Sequence, residues 1–262
     1  VGIAGMALVY DLVDLANDNK LEKAKSNART LSLPSDTADN SDVDGSLTVK
    51  YLKNTKDIIS RISSSHPGSL GLHPIVYVYA GDGRYQISSF MAVVELIKHL
   101  EKHVMFEKFT VIRGTFEDFI VNNKIFINQI VAKYGSGARS YKRVFGFFLA
   151  VIELLLDKKP EDQLTNALMS GEFFYFKPGE KEVDPQKKKD FSSESKSIVF
   201  LREALKNPLR CSLCNGYIYT RGFNIDHIED KKNGGIGNAD NGQLTHFYCN
   251  SIKDKGIFSK NF

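Results

Sequence analysis

All three cysteines of this chain, Cys211, Cys214 and Cys249, lie in its last fifth, and no other feature limits its fold so tightly. An odd number crowded into one end does not make the paired framework of a secreted, disulfide-stapled protein. Cys211-Ser-Leu-Cys214 puts two thiolates on one tight turn, which is half of a tetrahedral zinc site. His246-Phe-Tyr-Cys249 repeats the two-residue gap and supplies the other half. Together they make a Cys3His set with no position left for water, so the zinc it would hold is structural. It would close a loop of about 30 residues and hold together a module too short to hold itself.

Inside that staple, Phe223-Asn-Ile-Asp226-His227-Ile228 alternates like a short strand ending in a polar pair, and Gly234-Gly235 makes a turn. Asn241 to Lys253 reads as a loop feeding a short helix. The order strand, strand, loop, helix is a ββα unit. With its CxxC, Asp-His-Ile, Gly-Gly, Asn-x-x-Leu and Asn-x-x-Lys strings, the stretch 207–256 resembles an HNH (His-Me finger) endonuclease domain.

That resemblance implies a role for each matching position. His227 corresponds to the general base that deprotonates a water, and a neutral imidazole suits that task. Asp226 corresponds to a carboxylate ligand of a catalytic divalent ion. Asn250 stands where the family's last histidine usually stands and would be the second ligand. Hard oxygen donors of this kind suit Mg²⁺ or Mn²⁺. Asn241 corresponds to the middle asparagine, which braces the loop holding the base, and Lys253 to a basic residue on the nucleic-acid backbone. The implied activity is metal-dependent hydrolysis of phosphodiester bonds in DNA, with RNA left open. The competing reading is a non-catalytic zinc-stapled module that binds DNA or protein.

The rest of the chain supplies a scaffold. With 262 residues, 42% of them hydrophobic and 25% charged, there is enough to bury a real core. No apolar run reaches the roughly 18–20 residues of a membrane helix, so no membrane partner and a cytoplasmic location are expected. Apolar spacing predicts helices over Gly2–Arg29, Thr48–Ile62, Tyr85–His103, Thr115–Tyr134, Tyr141–Leu156 and Glu161–Ser170. Pro74–Ala80 (PIVYVYA) reads as a strand or buried extended segment, Leu33–Gly45 as a loop, and Gly81–Arg84 as a tight turn. His99 and His103, four apart on a helix, read as a polar or interhelical pair.

The expected fold is a mainly α N-terminal domain over 1–176, a linker over 177–197 containing Lys187–Lys189, and a small C-terminal ββα-metal (HNH, zinc-stapled) domain over 198–262. The helical domain would recognise, regulate or dimerise. Its stretch from Gly71 to Gln86 resembles the region upstream of the nuclease in prokaryotic GmrSD-like defence enzymes, which implies restriction of foreign or modified DNA. Arg84 and Gln86 depart from that family's Asp-Gly-Gln-x-Arg core. The start at Val1 is expected to reflect sequence missing from the N-terminus of a longer chain. The net charge is +4, and residues 206–262 hold eight Lys and Arg against five Asp and Glu, so most of the excess sits in the module expected to hold nucleic acid.

Overall fold

Apolar residues three and four apart over Ile87–Lys102 and Tyr141–Leu156 give two helices whose stripes need a large apolar partner, and each buries its stripe against the other. The computed structural model describes residues 3–19, 21, 42, 44–178, 191 and 193–258. Among them the helices are α1 (Ile3–Ala16), α2 (Ser46–Ile62), α3 (Pro74–Tyr77), α4 (Ile87–Lys102), α5 (Phe106–Asn122), α6 (Lys124–Tyr134), α7 (Tyr141–Leu156), α8 (Glu161–Met169) and α9 (Ser193–Ala204). There follow β1 (Asn224–His227), β2 (Gly242–Thr245) and α10 (Phe247–Ile252). Helices α1 and α2 cover α4, while α5, α6 and α8 cover α7. Met91, Val94 and Ile97 meet Val144, Phe148 and Val151 in a core of fully buried side chains. The chain is thus mostly helical, with a small two-stranded sheet near its C-terminal end.

Several expected elements differ, each for a local reason. The first helix stops at Ala16, not Arg29. Asn17 Nδ2 donates back to Val13 O at 2.8 Å, and Asp18 adopts a left-handed φ of 60°. Residues 22–29 of that expectation lie outside the described residues. Pro74–Ala80 is not a strand. His73 Nδ1 caps Ile75 N, Pro74 sits in the first turn, and Lys124 Nζ donates to Val76 O and to Tyr79 O, which closes a short helix instead. Thr115–Tyr134 is not one helix. Asn123 Nδ2 bonds to Phe119 O at 2.9 Å and breaks it, and α5 begins nine residues earlier, at Phe106. On α2, Val49 and Leu52 are exposed, and Thr55, Ile58 and Ile62 make the buried face. β2 falls at the start of the Asn241–Lys253 stretch that reads as loop.

Gly81–Arg84 is the expected tight turn, with Gly83 at φ 81° and Asp82 Oδ1 accepting from Arg84 N. The His99 and His103 rings stack at 4.1 Å. Most of Leu33–Gly45, and the lysine run of 187–189, lie outside the described residues. Helix α9 starts at Ser193, inside the stretch read as linker.

The C-terminal module is docked on α5. Gly114 and Gly216 allow the approach: a Cβ on Gly114 would stand 2.9 Å from Cys214 O, and one on Gly216 would stand 2.9 Å from Arg113 Nε. Behind this contact lies a fully buried ion pair, Arg113 Nε to Glu117 Oε1 at 2.7 Å. Glu117 also accepts from the Tyr77 hydroxyl at 2.8 Å and from Tyr217 N at 2.5 Å. Arg113 donates to Leu70 O and Gly71 O. Outside it, Asp118 takes Arg210 at 2.6 Å and the Tyr217 hydroxyl at 2.8 Å. Tyr217 itself belongs to the main core.

Removing one partner of a buried pair strands the other charge. Arg113→Met should therefore lower unfolding free energy by about 3–5 kcal/mol in urea titrations. The double variant Arg113→Met, Glu117→Leu should lose less than the two single losses combined. A second expectation concerns pH. Burial lowers Lys124 to about 7. The unfolded chain therefore binds more protons between that value and the free-lysine range, and stability should rise with pH across that window. Lys124→Met should flatten the rise.

Candidate metal centre and active site

The staple forms as the spacing requires. Cys211 and Cys214 sit on a knuckle closed by Asn215 N to Cys211 O and Cys211 N to Gly216 O, with Asn215 in the left-handed region at φ 56°. His246 caps the start of α10 and Cys249 lies one turn along it. The four ligand atoms lie within 4.8 Å of one another, and all four residues are buried. His246 Nε2 is 3.1 Å from Tyr217 O. A proton donated there leaves Nδ1 as the ligand nitrogen, facing Cys214 Sγ at 3.4 Å and Cys249 Sγ at 3.7 Å.

The electrostatics of the set call for a cation. Hydrogen bonds from Cys214 and Cys249 pull the Cys211 thiol far below its ordinary value. Burial, then the Cys211 sulfur, pushes Cys214 up. Hydrogen bonding to Cys211 and Cys214, then burial, does the same to Cys249. Three thiolates gathered in so buried a place need a divalent charge among them. The donor set fits structural zinc.

The second cluster stands on the hairpin. β1 and β2 pair antiparallel, with Asp226 opposite Gln243 and His227 opposite Gly242. The strand is inverted in polarity: Asp226 is 5% exposed while its neighbour Ile225 is 59% exposed. Gln243 Nε2 donates to Asp226 Oδ2 at 3.1 Å, and Lys253 Nζ lies 2.6 Å from Asp226 Oδ1. Lys253 Nζ also reaches Asp230 Oδ1 at 2.6 Å and His227 O at 3.3 Å. His227 is half-buried, and its Nε2 is buried with no hydrogen-bond partner among the described residues. A buried polar nitrogen without a protein partner is uncommon and calls for a water, a ligand or a chemical role.

Asn241 ends the loop between the strands, immediately before β2. Its Oδ1 accepts from Glu229 N at 2.7 Å, and its Nδ2 donates to Glu229 O at 3.0 Å and Ile236 O at 2.9 Å. One amide thus pins both ends of the segment that follows His227. The loop is tight: a Cβ on Gly235 would fall 1.8 Å from Glu229 O, so only glycine fits. Asn250 lies half-buried on α10, which packs against β1.

The structure therefore gathers Cys211, Cys214, His246 and Cys249 into one cluster, and Asp226 and Lys253 into contact beside His227. Asn241 is joined to the loop after His227. Lys253 faces a carboxylate and not open solvent. Gln243, Asp230 and the Tyr217 carbonyl complete these contacts and were not singled out from the sequence. Gln243 was legible in principle, since strand register alone puts it opposite Asp226.

Residues 211–256 match the family model for HNH endonuclease. No curated protein and no solved structure matches the chain. The match covers the stapled module and none of the helical body, so the GmrSD-like resemblance of the upstream region gains no support from it. An HNH domain implies a nuclease or nucleic-acid-binding role. Among the described residues no helix is long and apolar enough to cross a membrane.

Elemental analysis of the purified chain should find one zinc per chain. The three buried thiols should resist a thiol reagent until a chelator is added, and Cys214→Ser should lose the metal. A zinc-free chain whose thiols react at once would exclude the staple.

Proposed function

We propose that the chain is a divalent-metal-dependent endonuclease that hydrolyses phosphodiester bonds in DNA. The observation that carries this reading is His227: a half-buried imidazole with an unpartnered Nε2, adjacent in sequence to a buried carboxylate, at the strand end that leads into a loop pinned by Asn241 at both ends. A structural turn in a zinc module has no use for that expense of unpaired polarity.

In this reading Asp226 and Asn250 hold Mg²⁺ or Mn²⁺. The donor chemistry fits, because both offer hard oxygens and Asp226 already carries a cation, the Lys253 ammonium, at 2.6 Å. The bound ion supplies Lewis acidity toward the scissile phosphate and its leaving oxygen. His227 accepts the proton of the attacking water. Asn241 keeps the loop after His227 in one conformation, which positions the base without touching the substrate. Lys253 turns to a backbone phosphate. The zinc cluster has no reacting role; it fixes α10, and with it Asn250 and Lys253, against β1.

We extend the proposal to the helical body, which would recognise or restrict the target, in a defence setting or as a dimer, while the module cuts. A second reading, a non-catalytic zinc-stapled binding module, is favoured by one observation: the Lys253–Asp226 pair satisfies the carboxylate with no divalent ion.

Plasmid nicking separates the two. The zinc-loaded chain should nick supercoiled DNA with Mg²⁺ or Mn²⁺, and His227→Ala should lose roughly 10²–10⁴-fold in rate while keeping its zinc. A zinc-loaded wild type that is inert with both metals would support the binding module instead.

A further inference from the structure

We infer that Lys253 is a resident cation on Asp226 that competes with a divalent ion for that carboxylate, so that nucleic-acid phosphate and catalytic metal bind cooperatively. The inference rests on the nuclease reading of Asp226 as a metal ligand. It starts from the three acceptors around one ammonium: Asp226 Oδ1 at 2.6 Å, Asp230 Oδ1 at 2.6 Å and His227 O at 3.3 Å. An ammonium has three donors, so Lys253 is saturated. Asp226 takes a donor on each oxygen, with Gln243 Nε2 on the other one.

A divalent ion coordinates a carboxylate oxygen at about 2.0–2.2 Å. On the one Asp226 carboxylate it competes with the ammonium at 2.6 Å for the same negative charge, and the two cations repel each other. The ammonium can move without the backbone. Lys253 lies just beyond α10, its side chain is 20% exposed, and its four-carbon stem is flexible. A backbone phosphate competes for the same donors through charge-assisted hydrogen bonds. Once phosphate takes the ammonium, Asp226 is left buried and unpaired, and a divalent ion is the ligand that compensates it. Linkage makes the effect reciprocal: whatever factor phosphate adds to metal affinity, metal adds to phosphate affinity. The free protein is thereby kept from assembling its hydrolytic site until a polyanion is in place.

The test reads Mn²⁺ binding by electron paramagnetic resonance on the zinc-loaded full chain, and does not depend on activity. Without DNA, Lys253→Met should bind Mn²⁺ roughly tenfold more tightly than wild type, the effect of one charge-assisted contact. Asp230→Asn, which loosens the hold on Lys253 and leaves it in place, should gain about two- to threefold. On a His227→Ala background, where a duplex stays intact, adding a short duplex should tighten Mn²⁺ binding after subtraction of what the duplex binds alone. The further change Lys253→Met should abolish that gain.

Equal Mn²⁺ affinity in wild type and Lys253→Met, or a duplex effect independent of Lys253, would overturn the inference. If Lys253→Met loses its zinc, Asp230→Asn decides: an affinity no higher than wild type overturns it. Nicking is scored separately. A wild type that nicks while Lys253→Met binds Mn²⁺ no better defeats the gate alone. Tighter Mn²⁺ binding in a chain that never nicks upholds the gate and defeats the hydrolase.

Discussion

The buried pair of Arg113 and Glu117 ties the two parts of the molecule together. A single carboxylate, with no exposed surface, receives groups from three places: the guanidinium one turn back on α5, the Tyr77 hydroxyl of α3, and Tyr217 N from the stapled module. Such a pair contributes little net stability against an apolar substitute, because both charges lose their water. What it gives is specificity of docking: Glu117 is satisfied only when α3, α5 and the module all stand where they do. Burial works against the charge on Arg113, but Glu117 outweighs it and holds the guanidinium above its ordinary value.

That arrangement explains why a module of some fifty residues is not left as a tethered bead. Its own buried cluster is small: Cys211, Cys214, Ile218 and Cys249, with four partly buried neighbours. A two-stranded hairpin is marginal by itself. The module compensates by giving Tyr217 to the helical core and by placing Tyr248 N on Ser69 O. The Cys3His cluster closes one side of the hairpin, and α5 closes the other.

The legibility of the sequence followed the range of the forces involved. The metal set was readable because four ligands in two matched gaps are a local pattern with one common chemical explanation. The ββα order and the helices α2, α4, α7 and α8 were readable because their periodicity is local. What was not readable depends on contacts between distant residues. The seven residues Pro74–Ala80 have strand composition, but Lys124, far along the chain, takes two of their carbonyls. The first half of α5 was hidden because its inward residues include Arg113 and Gly114, which look like surface and breaker until Glu117 and the knuckle meet them. Lys253 was read as a free basic contact for the same reason: sequence gives its charge but not the two carboxylates facing it.

The polarity of β1 runs against apolar burial. A strand packed for stability alone would bury Ile225 and expose Asp226, yet the reverse is found, and Ile228 and Ile236 are exposed as well. Turning the strand over would recover the apolar burial of one isoleucine but move Asp226 away from Gln243 and Lys253, because a one-residue slip exchanges the faces. The register is held by β2, by the Asn241 brace and by α10, which carries two residues of the Cys3His cluster at its start. A stabilising interaction on each side of the hairpin thus offsets one unfavourable strand, and a local rule is broken where several independent devices hold it broken.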